Sequence, residues 1–150
     1  MKENKVGFGL LKIVTEQFAI IESAFVESET IQMGVGIEYG IDIEHKVAAC
    51  IFRFELMIKN SPFLLIHVRC DFGIEDDAWR EFSCEEKKSI CFPKGFASHL
   101  AVLTVGTARG ILHAKTENTR FNEFFLPTIN INDFVKEDVS FDFIEDTEAK

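Results

Sequence analysis

A chain of 150 residues is the common size of a single domain, and it can bury a core without a disulfide or a metal to hold it. Its 25 Asp and Glu against 16 Lys and Arg leave a formal charge of −9, which repels phosphate backbones and anionic membrane surfaces and speaks against nucleic-acid binding. Hydrophobic residues make up 47% of the chain and Phe alone occurs 16 times, an apolar supply that points beyond what a monomer hides.

Met1 to Gly7 lacks the apolar core of a signal peptide, and Phe8 onward soon meets Lys12, Glu16 and Glu22. No stretch approaches the roughly 18 uninterrupted apolar residues of a membrane span. The expectation is a cytoplasmic protein without membrane insertion, in which Cys50, Cys70, Cys84 and Cys91 are free thiols.

Phe8 to Phe25 reads as extended, with a slip in phase through Thr15, Glu16 and Gln17 that predicts a bulge or bend. From Met33 to Glu44 the alternation is strict: Met33, Val35, Ile37, Tyr39, Ile41 and Ile43 interleave with Gly34, Gly36, Glu38, Gly40, Asp42 and Glu44. One apolar face and one solvated face suit an antiparallel sheet. The three glycines on the polar face weaken the strand and predict either bending or the close approach of another chain. Two further runs alternate in the same way, Cys50, Phe52, Phe54, Leu56 and Ile58, then Leu64, Ile66, Val68, Cys70, Phe72 and Ile74. Asn60, Ser61 and Pro62 between them predict a hairpin turn.

From Pro93 the period lengthens, and Phe96, Leu100, Leu103, Thr107, Ile111 and Ala114 predict a helix with one buried stripe, Pro93 in its first turn. Ala97, Ala101, Gly106, Ala108 and Gly110 keep its surface small enough for close packing on the sheet or on a second helix. Lys115 to Asn122 reads as a polar connection, and Thr128 to Ile131 as extended. The predicted architecture is α+β, an antiparallel sheet of about four strands packed by a long helix in the C-terminal half. One domain spans residues 1–135, and residues 136–150 form an acidic, flexible tail.

Chemical motifs are sparse. His67 with Cys70 and Cys84 with Cys91 fail as a zinc set, because strand residues three apart point to opposite faces. No cysteine lies in a recognisable nucleophile setting, and Gly34, Gly36 and Gly40 lack the third glycine of a dinucleotide loop. No catalytic residue, metal site or cofactor is predicted. Phe121, Phe124, Phe125, Leu126 and Ile129 cluster after the helix; they either fill the core or, where exposed, form a groove or an interface.

The order of these elements resembles the SecB family of polypeptide-binding chaperones. Thr107-Ala108-Arg109-Gly110 is similar to that family's Arg-Gly helix segment, Leu126 to Ile131 to its Leu-x-Pro-Val-Asn-Phe stretch, and Phe8 to Ile21 to its first strand. The resemblance implies an ATP-independent holdase for unfolded polypeptides in protein export, assembled as a dimer of dimers, that hands clients to the SecA motor. It further implies apolar client walls, here Met33, Val35, Ile37 and Tyr39 on one side and Phe121, Phe124, Phe125 and Ile129 on the other. Gln17, Ile21 and His67 stand where the family's motor-contacting acids fall, so a dedicated client such as an antitoxin is the alternative to delivery to SecA. Two other classes fit the outline: a small hot-dog-like thioesterase, needing a carboxylate and a histidine on one apolar tunnel, and an oligomeric structural protein.

Overall fold

The twelve residues from Val47 to Ile58 alternate without a break between buried and half-buried, and the strand after them continues the same rhythm. The computed structural model describes residues 7–142. Four long strands, β1 (Phe8–Ile20), β2 (Gln32–Asp42), β3 (Val47–Ile58) and β4 (Ser61–Ile74), form an antiparallel sheet in the order β1-β4-β3-β2. The two central strands are the two whose inward apolar rows are fully buried, as cover of one face by a helix requires. β1 and β2 are the edges.

The β3–β4 turn is tighter than the sequence suggested. Ile58 pairs with Ser61, so Lys59 and Asn60 alone make the loop, with φ of 51° and 65°. Positive φ at both positions belongs to the primed turns whose twist matches a hairpin. β1 skips register twice, at Leu11 and at Glu16; the second skip lies in the expected stretch, and the first carries Leu11 across to the outer face, onto Gly73.

A short helix, α1 (Asp76–Phe82), leads into β5 (Ser83–Cys84) and β6 (Ser89–Phe92), which with β7 (Val139–Asp142) make a second, small sheet ordered β5-β6-β7. Trp79, Phe82 and Phe92 are core, and Phe92 packs on Phe96 and Phe141 with ring centroids 5.7 and 5.9 Å apart. The segment from 136, expected as a solvated tail, therefore starts with a paired strand; its remaining acids, Glu145, Asp146 and Glu148, lie outside the described residues.

The long helix is α2 (Lys94–Thr116), packed across β3 and β4. Pro93 is its N-cap rather than part of its first turn and has no side-chain acceptor to offer; Asp138 supplies one, taking the Lys94 amide at 2.8 Å. The buried stripe overlaps the expected one and shifts from it. Phe96 and Leu100 are buried and Ile111 is half-buried as expected; Ala97, Ala101, Thr104, Val105, Ala108, Leu112 and Thr116 are buried with them, whereas Leu103 is 39% exposed and Ala114 faces solvent. The alanines bring the helix backbone down onto the sheet, and Thr104 satisfies its buried hydroxyl on Leu100 O at 2.8 Å. Cys50 and Cys70, paired directly across β3 and β4, are buried beneath it, and burial pushes the Cys50 thiol up to about 12.

Candidate binding groove

The groove depends on a segment with little regular structure. After α2 the chain turns back and runs the length of the helix to Asp138, through 3₁₀ turns at Arg120–Glu123 and Ile131–Asp133. We call residues 117–138 the strap. With no strand pairing between the two turns, its polar groups need partners from elsewhere. Asn122 Nδ2 donates to His113 O at 3.1 Å and to Thr116 Oγ1 at 3.0 Å; Arg109 donates from Nε to Leu126 O at 3.3 Å and from Nη2 to Pro127 O at 3.0 Å.

The 3.6-residue period puts Val102, Val105, Arg109 and Leu112 on one flank of α2 and Phe96, Leu100 and Thr107 on the other. Phe8 of β1 meets Phe96 at 5.4 Å, so the strap covers the flank on the β2 side. Between strap and helix are two cavities. One, about 310 Å³, is lined by Gly110, Leu112, His113, Phe124 and Phe125. The other, about 290 Å³, is lined by Val102, Val105, Thr128, Ile129 and Ile131. Arg109 and Leu126 border both.

The expected wall residues divide into four groups. Phe121 is a correction: it is 2% exposed and anchors an aromatic cluster with Phe25, Phe63 and Phe124 at centroid distances of 5.4, 6.1 and 6.3 Å. Enclosed by the crossover after β1 and by the β4 start, it is core. Val35, Ile37, Phe124 and Ile129 are half-buried, packed on the core with one side open. Tyr39 is a tether, its hydroxyl donating to Ala97 O at 2.6 Å, and burial raises its pKa so that it stays a donor. Met33 and Phe125, 52% and 65% exposed, are open surface. Phe125 lies parallel to the His113 ring at 6.4 Å.

Sequence reasoning missed the helix wall. Val102, 53% exposed, lies outside the predicted stripe, and Gly106 and Gly110 open onto free space where a side chain would stand. A Leu or Val off the buried stripe is the signal that could have located this wall.

A larger cavity, about 670 Å³, is elsewhere, on the outer face of the sheet, with Leu11, Val47, Ala49 and Ile51 on its floor. Five of its charged or titratable side chains pair with one another: Arg69 reaches Glu16 at 3.1 Å and Asp71 at 3.0 Å, and His45 at its rim meets Asp42 at 2.9 Å. That hydrogen bond raises the His45 pKa and lowers that of Asp42. Gly34, Gly36 and Gly40 lie on this outer face of β2 without positive φ; a Cβ would find ordinary room at Gly36 and Gly40, whereas at Gly34 it would come within 3.3 Å of the flexible end of Met57.

Among the described residues no three His, Cys, Asp or Glu are grouped to hold a metal ion, and no helix is long and apolar enough to cross a membrane. No protein-family model and no curated protein sequence matches the chain. What the site can do follows from its own surface: the cavity beside Phe125 offers apolar, partly aromatic walls to an apolar segment, and the one beside Val102 mixes aliphatic walls with polar groups from Arg109 and Thr128.

Proposed function

We propose that this chain is a SecB-like, ATP-independent holdase that binds unfolded polypeptides in the groove between α2 and the strap and along the adjoining β2 edge. The observation that carries the reading is the apolar cavity beside Phe125, floored by Gly110, together with the neighbouring mixed cavity beside Val102 and the exposed side chains of both residues. A passive holdase gains affinity from apolar burial, about 25 cal/mol per Å², and phenylalanine supplies much area per residue. The net charge of −9 keeps such a surface soluble.

Self-assembly into a dimer of dimers belongs to the same proposal. Its support is the β1 edge, which exposes Leu10, Leu11 and Ile13 in sequence, an edge that a folded protein ordinarily covers or charges. Delivery to SecA and service to one dedicated client such as an antitoxin remain two branches of this reading. Gln17, Ile21 and His67, non-acidic on or beside the sheet, favour the dedicated client.

The test combines light scattering of an aggregating, unfolded reporter with native mass spectrometry of the purified chain. Suppression at stoichiometric ratio without nucleotide, from a homo-oligomer, is the expected result. An oligomer that leaves aggregation untouched would make the apolar surface purely structural and end the holdase reading.

A further inference from the structure

Leu126 borders both cavities of the groove, and Arg109, which also borders both, bonds its carbonyl. The Arg109 guanidinium spans two consecutive carbonyls, Leu126 O at 3.3 Å and Pro127 O at 3.0 Å. Those carbonyls belong to a stretch without strand pairing, and Pro127 has no amide to add a hold of its own. The next hydrogen-bonded ties along the chain are Asn122 on one side and the 3₁₀ turn at Ile131 on the other, while the side chains of Phe124 and Ile129 between them rest on the core by apolar packing. Leu126 is 3% exposed and belongs to the core, and Arg109 and Leu126 are the two residues both cavities share.

We propose that Arg109 is the positioning residue of this groove: by clamping two successive strap carbonyls it fixes the strap as a preorganised wall and sets the division between the aromatic and aliphatic cavities. This rests on the groove being the client site. A wall already in place spares the client the ordering cost of the strap, so the clamp raises affinity without touching the client. Lysine is a partial substitute only, since its ammonium is a point charge that cannot present a planar fork to two carbonyls at once.

The test uses the full chain, with Arg109→Ala, Arg109→Lys and, as a charge control on α1, Arg80→Ala. Two quantities are read: amide hydrogen exchange, and affinity for reduced, carboxymethylated α-lactalbumin as a permanently unfolded probe. Arg109→Ala should speed exchange across Phe124 to Ile131 while β3 and β4 keep their protection, and should weaken probe binding about five- to tenfold, the scale of losing charge-assisted hydrogen bonds at a partly open site. Arg109→Lys should fall between, and Arg80→Ala should match the wild type. Unchanged strap exchange in Arg109→Ala overturns the clamp. If that variant unfolds, Arg109→Lys decides, and wild-type exchange there overturns it equally. Weaker binding with unchanged exchange means Arg109 meets the client itself and also overturns positioning. A wild type that never binds the probe sinks the holdase reading instead, while the exchange data still judge the clamp.

Discussion

The two flanks of α2 are built from similar residues to opposite effect. Toward β1, rings close the gap: Phe8 packs edge-on to Phe72 and Phe96 at 6.0 and 5.4 Å, while beyond the N-terminus of α2 Phe82 packs on Phe92 at 5.5 Å. Toward β2, the strap lies against the helix through hydrogen bonds to its carbonyls and leaves two cavities behind. Interdigitated side chains seal a flank, whereas a backbone hung from side-chain donors spans one without filling it. The sealed flank gives stability, and the spanned flank leaves open apolar surface.

The largest effect should come from breaking the sealed part. Phe52→Ala, at a fully buried site on β3, is expected to cost about 3–5 kcal/mol, read as a lowered urea midpoint. Comparing Phe121→Ser with Phe125→Ser sharpens the contrast within one short stretch. The first should destabilise by several kcal/mol, about the range for a lost buried aromatic, and the second should stay within about 0.5 kcal/mol of wild type while weakening holdase activity. Equal stability losses would mean that both are core and the groove lies elsewhere.

Phe121 and Phe125 also show what the sequence could and could not disclose. β3 and β4 were legible residue by residue, because central strands with one face under a helix leave no freedom in which side chains turn inward. β2 had as clean an alternation, yet Met33 at the edge is half open, since period two gives the face and not the depth of cover. The helix was legible, but its stripe was partly misplaced by following the large residues: Leu103 points out while Ala97, Ala101 and Ala108 make the contact. The strap was not legible. Its path is set by Arg109 and Asp138, partners 17 and 44 residues from the groups they hold, and no local period records such ties.

Smaller effects follow from single tethers. Tyr39→Phe removes the tie from β2 to Ala97 O and should cost about 1 kcal/mol, with the fold intact by circular dichroism. Burial raises the pKa of both Tyr39 and Cys50 above their unfolded values, so the unfolded chain ionises first as pH climbs. The stability from keeping these groups neutral is complete below the ordinary thiol pKa of about 8.5 and is lost progressively above it, so the urea midpoint should fall on the alkaline side. A Tyr39→Phe variant should lose the later part of that fall. At the smallest scale, His45, exposed and held by Asp42 at 2.9 Å, should titrate above a model histidine by NMR, with no measurable change in the groove.

The central claim is that clients occupy the α2–strap flank and not the larger outer-face cavity. Methyl NMR during titration with reduced, carboxymethylated α-lactalbumin tests this most directly, because methyl groups line both surfaces. The account predicts shifts at Met33, Val102, Val105, Ile129 and Ile131 while Leu11, Val47 and Ile51 on the outer face stay still. Shifts confined to Leu11, Val47 and Ile51 would contradict it.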